Sequence, residues 1–187
     1  MQYKLNANKF IFLFIGRLLW DKGYKEIIEA AKKIHKDHSN IEFQIIGGFD
    51  KQPSSISKKI ILKDHSEGII NYLGYQQETR DYMQKADCIL LPSYHEGMSR
   101  VLMEAAAMAK PIIASNIPGC QEIVEDGVNG FLIKAQDSED LYFKLNKILA
   151  LSQEDLKIMS KESRRIAVTK FNIKNVISVY DEIINDL

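Results

Sequence analysis

The chain has 187 residues, of which 45% are hydrophobic and 27% are charged, and its formal net charge at pH 7 is zero. This composition is typical of one globular domain, and a zero net charge argues against long-range attraction to nucleic acid or an acidic membrane. Because no apolar run approaches about 18 residues, no membrane-spanning helix is expected.

Apolar segments of strand length alternate along the chain with amphipathic segments of helix length. In chain order, the predicted elements are a strand at 10–16, a helix at 24–38, a strand at 41–48, a helix near 54–63, a strand at 69–74, a helix at 77–86, a strand at 87–93, a helix at 99–109, a strand at 111–115, a helix at 120–126, a strand at 130–133, and helices at 138–150, 153–169 and about 173–185. This alternation predicts an α/β fold, in which a Rossmann-like, open, parallel sheet of about six strands carries helices on both faces.

The cysteines and histidines indicate no metal site. Cys88 and Cys120 lie far apart without a histidine or aspartate at ligand spacing, so both are interpreted as reduced and structural. His95 is interpreted as an exposed loop residue, and the other three histidines as surface residues. The sequence also lacks the Asp-x-Asp motif of many metal-dependent sugar-nucleotide enzymes.

The loop after the first strand, "GRLLWDKG" at 16–23, combines glycines with two cations at the start of a helix. Such sheets bind ligands beyond the carboxyl ends of their strands, and a helix start favours anions. Gly16, Arg17 and Lys22 therefore indicate a phosphate cradle; the alternative is a solvated turn with two surface cations. The loop is neither G-x-G-x-x-G nor a P-loop.

The next two loops offer sites at which a ligand could approach the backbone closely. "GGFD" begins at Gly47, and "LGYQQE" contains Leu73, Gly74 and Tyr75, whose backbone or ring could meet a flat base. A plain turn explains the first loop equally well, and a helix N-cap region explains the second.

The stretch "YHEGMSRVLMEAA" at 94–106 carries two glutamates around a helix that is predicted to start near Ser99. Glu96 lies in the preceding loop, and Glu104 lies too deep in the helix for a simple cap. The helix has a buried composition, so a carboxylate beside it needs partners, such as ribose hydroxyls. The alternative is that Glu104 pairs with a lysine or a backbone group.

These elements together resemble the nucleotide-sugar-binding half of the GT-B glycosyltransferases, specifically the retaining family four. The matching segments are "FIGRLLWDKG", "IEFQIIGG", "INYLGYQQE" and "ADCILLPSYHEGMSRVLMEAAAMAKPIIASNIPGCQEIVEDGVNGFLI". They follow the order of the family from Phe10 to Ile133, and the spacing of Glu96 and Glu104 is the family signature. Ala109 departs from the pattern, because the family usually has glycine there.

The resemblance implies that Arg17 and Lys22 bind the diphosphate of an NDP-sugar donor, linked to UDP or GDP. Glu96 would contact hydroxyls of the transferred sugar, and Glu104 would hold the ribose. The other implied donor contacts are the backbone N–H groups of Gly97, Met98 and Ser99, and the groups near the base, Leu73, Gly74 and Tyr75.

The resemblance also implies a cytoplasmic, metal-independent transferase without a cofactor. Such an enzyme makes capsular or other surface polysaccharide on an acceptor, usually lipid-linked, at the inner face of the membrane. The chain is expected to be a single C-terminal domain, inactive without its N-terminal acceptor domain, with a terminal helix at 171–187 that crosses toward that domain. The alternatives are a GT-B sugar-nucleotide epimerase and a non-catalytic nucleotide-sugar-binding module.

Overall fold

The computed structural model describes residues 9–173 together with residues 177 and 184. Within this part of the chain the strands are Phe10–Ile15 (β1), Ile41–Ile46 (β2), Asn71–Tyr72 (β3), Cys88–Leu91 (β4), Ile112–Ser115 (β5) and Gly130–Ile133 (β6). The helices are Tyr24–Asp37 (α1), Lys58–Ser66 (α2), Arg80–Lys85 (α3), Arg100–Ala107 (α4), Pro118–Gln121 (α5), Ser138–Leu149 (α6) and Gln153–Lys170 (α7). The predicted terminal helix at 171–187 lies almost wholly outside the described residues.

The strands form one parallel sheet in the order β3-β2-β1-β4-β5-β6. This confirms the predicted Rossmann-like α/β fold. The chain builds outward from β1 to β3, then returns to the middle and builds outward again from β4 to β6. Strands β1 and β4 are therefore neighbours, with Phe12 paired to Cys88 and Phe14 to Leu90. The strand order reverses between these two strands, and their carboxyl ends open the crevice where such folds bind ligands.

The core lies on the central strands and on the helices packed against them. Every residue of β4 and β5 is buried, as expected of strands covered on both faces. Helix α1 buries the apolar stripe predicted from its sequence period, including Ile27, Ile28 and Ile34. Helix α1 packs against α6, and α4 packs against α7. Both cysteines are free and buried, in agreement with their interpretation as structural residues.

Helix α2 begins at Lys58, four residues later than the predicted start at Ser54. Instead, Ser54 lies in a turn and Ser55 forms an isolated antiparallel bridge with Leu19, because this segment bonds to the loop that follows β1. The N–H of Trp20 donates to the carbonyl of Ser54, and the N–H of Ile56 donates to the carbonyl of Leu18, both at 2.9 Å. The tertiary partner thus overrides the local helical pattern.

Helix α5 begins at Pro118, two residues before the predicted start at Cys120. Proline suits the first turn of a helix, because its missing N–H would have no partner there. The helix spans only Pro118–Gln121, so the predicted continuation to Asp126 is wrong.

Helix α4 ends at Ala107, and Ala109 adopts a left-handed φ of 56°. The N–H of Lys110 donates to the carbonyl of Ala105, and the N–H of Ala109 donates to that of Ala106, each at 3.0 Å. These two bonds form a Schellman C-cap, whose left-handed position favours glycine. The expectation of a helix to Ala109 is therefore wrong, and the alanine strains the backbone at the cap.

We expect Ala109→Gly to stabilise the chain by about 1 kcal/mol, because glycine adopts the left-handed conformation without the clash of a Cβ atom. Urea denaturation followed by circular dichroism measures the change. The matched control is Ala107→Gly in the last turn of the same helix, which should destabilise by about 1 kcal/mol because that residue is helical. Effects of the same sign at both positions would contradict the assignment of the cap.

Candidate functional site

The loops that follow β1 and β4 meet where the strand order reverses, and a cation and a carboxylate face each other there. Lys22 Nζ donates to Glu96 Oε1 at 2.7 Å and lies 3.4 Å from the carbonyl oxygen of His95. The two side chains are only 15% and 16% exposed. The sequence predicted separate contacts for these residues, and the tertiary structure joins them in one largely buried ion pair.

This ion pair opens onto a cavity of about 550 Å³. The cavity is lined by Lys22, Tyr94, His95, Glu96, Gly97, Ile117 and Pro118. His95 itself is exposed, as its interpretation as a loop histidine predicted. Ile117 in the loop after β5 and Pro118 at the start of α5 therefore line this site, although the sequence analysis assigned no site residue to that segment.

Gly23 places Lys22 at this cavity by ending the loop after β1. Residues Trp20–Lys22 form a short 3₁₀ turn, and Gly23 follows with a left-handed φ of 77° before α1 begins. A Cβ atom on Gly23 would lie 2.1 Å from the carbonyl oxygen of Pro92. Gly23 therefore allows the loop after β1 to pack closely against the loop after β4, and the backbone that approaches it belongs to the protein.

Arg17 lies at a second cavity, of about 390 Å³, between the loops that follow β1, β2 and β3. The cavity is lined by Ile15, Gly16, Arg17, Ile46, Gly47, Gly48, Phe49, Asp50, Tyr75, Gln76 and Thr79. Arg17 is more than half exposed, and one of its guanidinium nitrogens lies 3.6 Å from Asp50. Arg17 and Lys22, which were predicted to act on the same diphosphate, thus line different cavities.

The backbone of Gly47 is engaged by the protein itself. Its N–H donates to the carbonyl of Gly74 at 3.0 Å, and its carbonyl accepts from the Tyr72 hydroxyl at 2.9 Å. A Cβ atom on Gly47 would lie 2.1 Å from the carbonyl oxygen of Gly16. Burial raises the pKa of the Tyr72 hydroxyl. Gly47 therefore lines the cavity while its N–H and its carbonyl are both paired within the protein, and it serves the packing of the strand ends.

The loop after β3 presents an aromatic ring at the mouth of the Arg17 cavity. Gly74 has a left-handed φ of 75°, which turns the chain after Leu73. Tyr75 follows with its ring largely exposed, and a Cβ atom on Gly48 would lie 3.5 Å from that ring. This arrangement leaves a flat apolar surface free beside the cavity.

Helix α4 starts beside Glu96 and next to Ser99, close to the predicted start, and Ser99 caps it. The Ser99 hydroxyl is buried and accepts a hydrogen bond of 3.4 Å from the N–H of Leu102. Gly97 and Met98 are exposed in the loop before the helix. The first turn of α4 thus points its backbone N–H groups toward the crevice.

Glu104 does not occupy the buried position that its surroundings in the sequence indicated. Its side chain is 49% exposed and lies 3.9 Å from the Arg100 guanidinium, one turn earlier in α4. The helix buries Leu102, Ala105 and Ala106, which leaves Glu104 on the side that faces away from the core. The expectation of a buried carboxylate is wrong, and ribose binding by Glu104 stays a prediction.

Sequence reasoning missed three residues that shape the site: Gly119, Glu26 and Tyr94. A Cβ atom on Gly119 would lie 1.6 Å from the carbonyl oxygen of Gly97 and 2.5 Å from that of Glu96, so α5 packs directly on the Glu96 loop. The Tyr94 hydroxyl bonds to the buried Glu26 carboxylate. The sequence offered only a weak signal for these contacts, a glutamate on the otherwise apolar face of α1.

Two ionisable groups near the ion pair are shifted toward their neutral forms. Burial, followed by the hydrogen bond to Glu26, raises the pKa of the Tyr94 hydroxyl. Burial also raises the pKa of the Cys120 thiol to about 12, with a further contribution from Glu96. Cys120 therefore stays a thiol at neutral pH and does not act as a nucleophile.

Within residues 9–173, 177 and 184, no three His, Cys, Asp or Glu side chains are grouped so that they could hold a metal ion. In the same part of the chain, no helix is both long enough and apolar enough to cross a membrane.

The chain is similar to known proteins over most of its length. The family described as "Glycosyl transferases group 1" matches residues 1–166. The chain is 31% identical over 179 residues to a Campylobacter jejuni N,N'-diacetylbacillosaminyl-diphospho-undecaprenol alpha-1,3-N-acetylgalactosaminyltransferase, covering 95% of the chain and 46% of that enzyme. It is 29% identical to an Escherichia coli UDP-Gal:alpha-D-GlcNAc-diphosphoundecaprenol alpha-1,3-galactosyltransferase, again covering 95% of the chain and 46% of the relative.

Solved structures show the same architecture. Anabaena HepE in complex with UDP superposes with a TM-score of 0.84 at 24% identity, covering 97% of this chain and 50% of that one. The chain thus spans about half the length of the relatives and structures that it matches.

Proposed function

The chain belongs to the glycosyl transferases group 1 family, and from this membership we propose that it is the donor-binding half of a retaining GT-B hexosyltransferase. The intact enzyme transfers a sugar from an NDP-sugar to an acceptor hydroxyl. The observation that carries the proposal is the Lys22–Glu96 ion pair, which lies where the strand order reverses and beside the start of α4.

The difficulty in this reaction is the separation of charge, because the diphosphate leaves as an anion while the sugar becomes cationic. Lys22 and the N–H groups at the start of α4 stabilise the departing diphosphate, and Arg17 binds it from the neighbouring cavity. Donors fixed before the reaction begins stabilise a transition state without reorganisation, each by about 3–4 kcal/mol. This chain's own cations, and no metal ion, supply the positive charge.

Glu96 orients the transferred sugar and offsets the positive charge that develops on it. Its carboxylate is held 2.7 Å from Lys22 Nζ, so one group faces the leaving phosphate while the other faces the sugar. We propose that the acceptor attacks from the face that the diphosphate leaves, which retains the anomeric configuration. Glu96 is then an orienting group and not a nucleophile.

The Arg17 cavity takes the nucleoside. Its apolar strand ends and the exposed ring of Tyr75 suit a flat base, and the cavity opens toward Arg17 for the adjoining phosphates. We propose UDP as the nucleotide. The E. coli relative is named for a UDP-Gal donor, and HepE was solved with UDP.

The proposed pathway is synthesis of capsular or other surface polysaccharide at the inner face of the membrane. The acceptor is a lipid-linked saccharide, and an N-terminal domain supplies its binding site. Three observations support this. Two relatives are named for diphospho-undecaprenol acceptors, and a third is named as a capsular polysaccharide biosynthesis glycosyltransferase from Staphylococcus aureus. The chain covers 46%, 46% and 38% of the lengths of these three relatives, respectively.

Calorimetric titration of the chain with UDP, GDP and ADP tests nucleotide binding. We expect UDP to bind most tightly, and we expect Arg17→Ala and Glu104→Ala each to weaken it at least tenfold, about 1.4 kcal/mol. The control is Lys157→Ala on α7, an exposed cation whose pairing with Glu154 spans 4.0 Å. Absence of binding both to the chain and to a longer protein that carries an N-terminal domain would contradict the proposal.

Product analysis with the longer protein separates the alternative functions. A transferase releases UDP only as an acceptor saccharide gains a sugar, whereas an epimerase converts one UDP-sugar into another without an acceptor. A binding module does neither.

A further inference from the structure

A second polar contact runs beside the Lys22–Glu96 ion pair and joins the same two segments. The Tyr94 hydroxyl lies 2.8 Å and 3.0 Å from the two carboxylate oxygens of Glu26. Glu26 lies four residues after Lys22 at the start of α1, and Tyr94 lies two residues before Glu96 in the loop after β4. Two polar contacts, Lys22–Glu96 and Glu26–Tyr94, thus connect the two segments.

The backbone adds a third connection between these segments. The N–H of Tyr94 donates to the carbonyl of Asp21 at 2.8 Å, and the Ser93 hydroxyl donates to the same carbonyl at 3.3 Å. Because these bonds fix the backbone at Tyr94, the direction of the chain between Tyr94 and Glu96 depends on where the Tyr94 side chain is held. The hydrogen bond from the Tyr94 hydroxyl to Glu26 holds it.

The burial of Glu26 makes this contact selective for one geometry. Glu26 is 3% exposed, although it is ionisable and lies on a helix whose other buried side chains near it are apolar. A buried carboxylate without a partner is costly, so the helix and the loop are most stable when the Tyr94 hydroxyl reaches it. Two apolar side chains at these positions would pack together without fixing the direction of the chain between Tyr94 and Glu96.

We propose that Tyr94 and Glu26 are positioning residues, which hold the Glu96 carboxylate at the place where it meets the transferred sugar. This inference rests on the proposed function. It adds that the selectivity of the site for a nucleotide sugar over a bare nucleotide depends on the Tyr94 hydroxyl through its hydrogen bond to Glu26.

The test is the ratio of two dissociation constants, measured by calorimetry on the chain. One is for UDP, and the other is for whichever of UDP-galactose, UDP-N-acetylgalactosamine and UDP-glucose binds the unsubstituted chain most tightly. We expect Tyr94→Phe to weaken the UDP-sugar about tenfold while UDP affinity changes less than twofold. A merely structural role would lower the melting temperature and leave the ratio unchanged.

Two further variants keep the test independent of folding. Glu26→Gln retains an acceptor oxygen for the hydroxyl, and we expect it to preserve the ratio. Glu26→Leu combined with Tyr94→Phe replaces both polar partners, so it should fold well but show the same loss of sugar selectivity as Tyr94→Phe. In a Glu96→Gln background, Tyr94→Phe should have no further effect on the ratio, because the group that it positions is already lost.

The possible outcomes are distinct. If the unsubstituted chain binds UDP and Tyr94→Phe leaves the ratio unchanged, the positioning role is overturned while the proposed function stands. If the chain alone binds no ligand, the ratio is measured on a longer protein that carries an N-terminal domain, and if that protein binds neither UDP nor any of the three UDP-sugars, both are overturned.

Discussion

Lys22→Met is expected to lower the turnover of the intact enzyme about 100- to 1,000-fold, the loss that follows removal of one preorganised donor from an anionic transition state. Methionine keeps much of the length of the lysine side chain and removes its charge and its N–H donors. The substitution also leaves the Glu96 carboxylate, 16% exposed, without its 2.7 Å partner. The measurement is UDP release from a UDP-sugar with an acceptor saccharide, compared with UDP affinity in the same variant.

Lys25→Met is the matched control for this prediction. Lys25 lies one residue inside α1, is 62% exposed, and lies 3.9 Å from Glu29. A surface pair of this kind contributes little, so we expect turnover within about twofold of the unsubstituted enzyme. Equal losses in both variants would show that the charge near the start of α1, and not the ion pair, governs the reaction.

Gly119→Ala is expected to destabilise the chain by about 3 kcal/mol or more and to abolish UDP-sugar binding in the fraction that stays folded. The added methyl group would lie 1.6 Å from the carbonyl oxygen of Gly97. No side-chain rotation relieves this clash, because the main chain fixes the position of the Cβ atom and the carbonyl oxygen is itself main chain. Either α5 or the Glu96 loop must move. Urea denaturation and calorimetry measure the two effects.

Gly97→Ala is the control on the other side of the same contact. A Cβ atom on Gly97 would meet nothing within 4 Å, so its free energy of unfolding should change by less than about 1 kcal/mol. If the two variants were equally stable, the close packing of α5 on the Glu96 loop would be wrong. Any difference between the UDP-sugar affinities of the two variants would then have to come from direct contact with the ligand alone.

Arg17 and Lys22 are both paired with carboxylates of the protein. Lys22 faces Glu96, and Arg17 faces Asp50. A diphosphate that enters the crevice must therefore compete with protein carboxylates for these charges. The buried Lys22–Glu96 pair can share its cation with the ligand without moving apart, whereas the exposed Arg17 side chain can leave Asp50 freely. We expect affinity for the bare nucleotide to depend more on Arg17 and turnover to depend more on Lys22.

The sequence determined the fold class and the order of its elements because each element carries its own periodicity. The continuously apolar strands and the stripe of Ile27, Ile28 and Ile34 on α1 depend on residues that are close in the chain. The loops at the strand ends, with Arg17, Lys22 and Glu96, could be identified for the same reason. The Ser99 cap is also a local feature, since its hydroxyl bonds to a backbone N–H three residues away.

Only the tertiary structure decided which of these residues meet. The reversal of strand order places β4 beside β1, and this alone brings Lys22 to Glu96, which is 74 positions away in the sequence. The same distant packing starts α2 late and makes Gly119 a contact of the Glu96 loop. These outcomes depend on pairs of segments with no shared local pattern, so neither propensity nor spacing could reveal them.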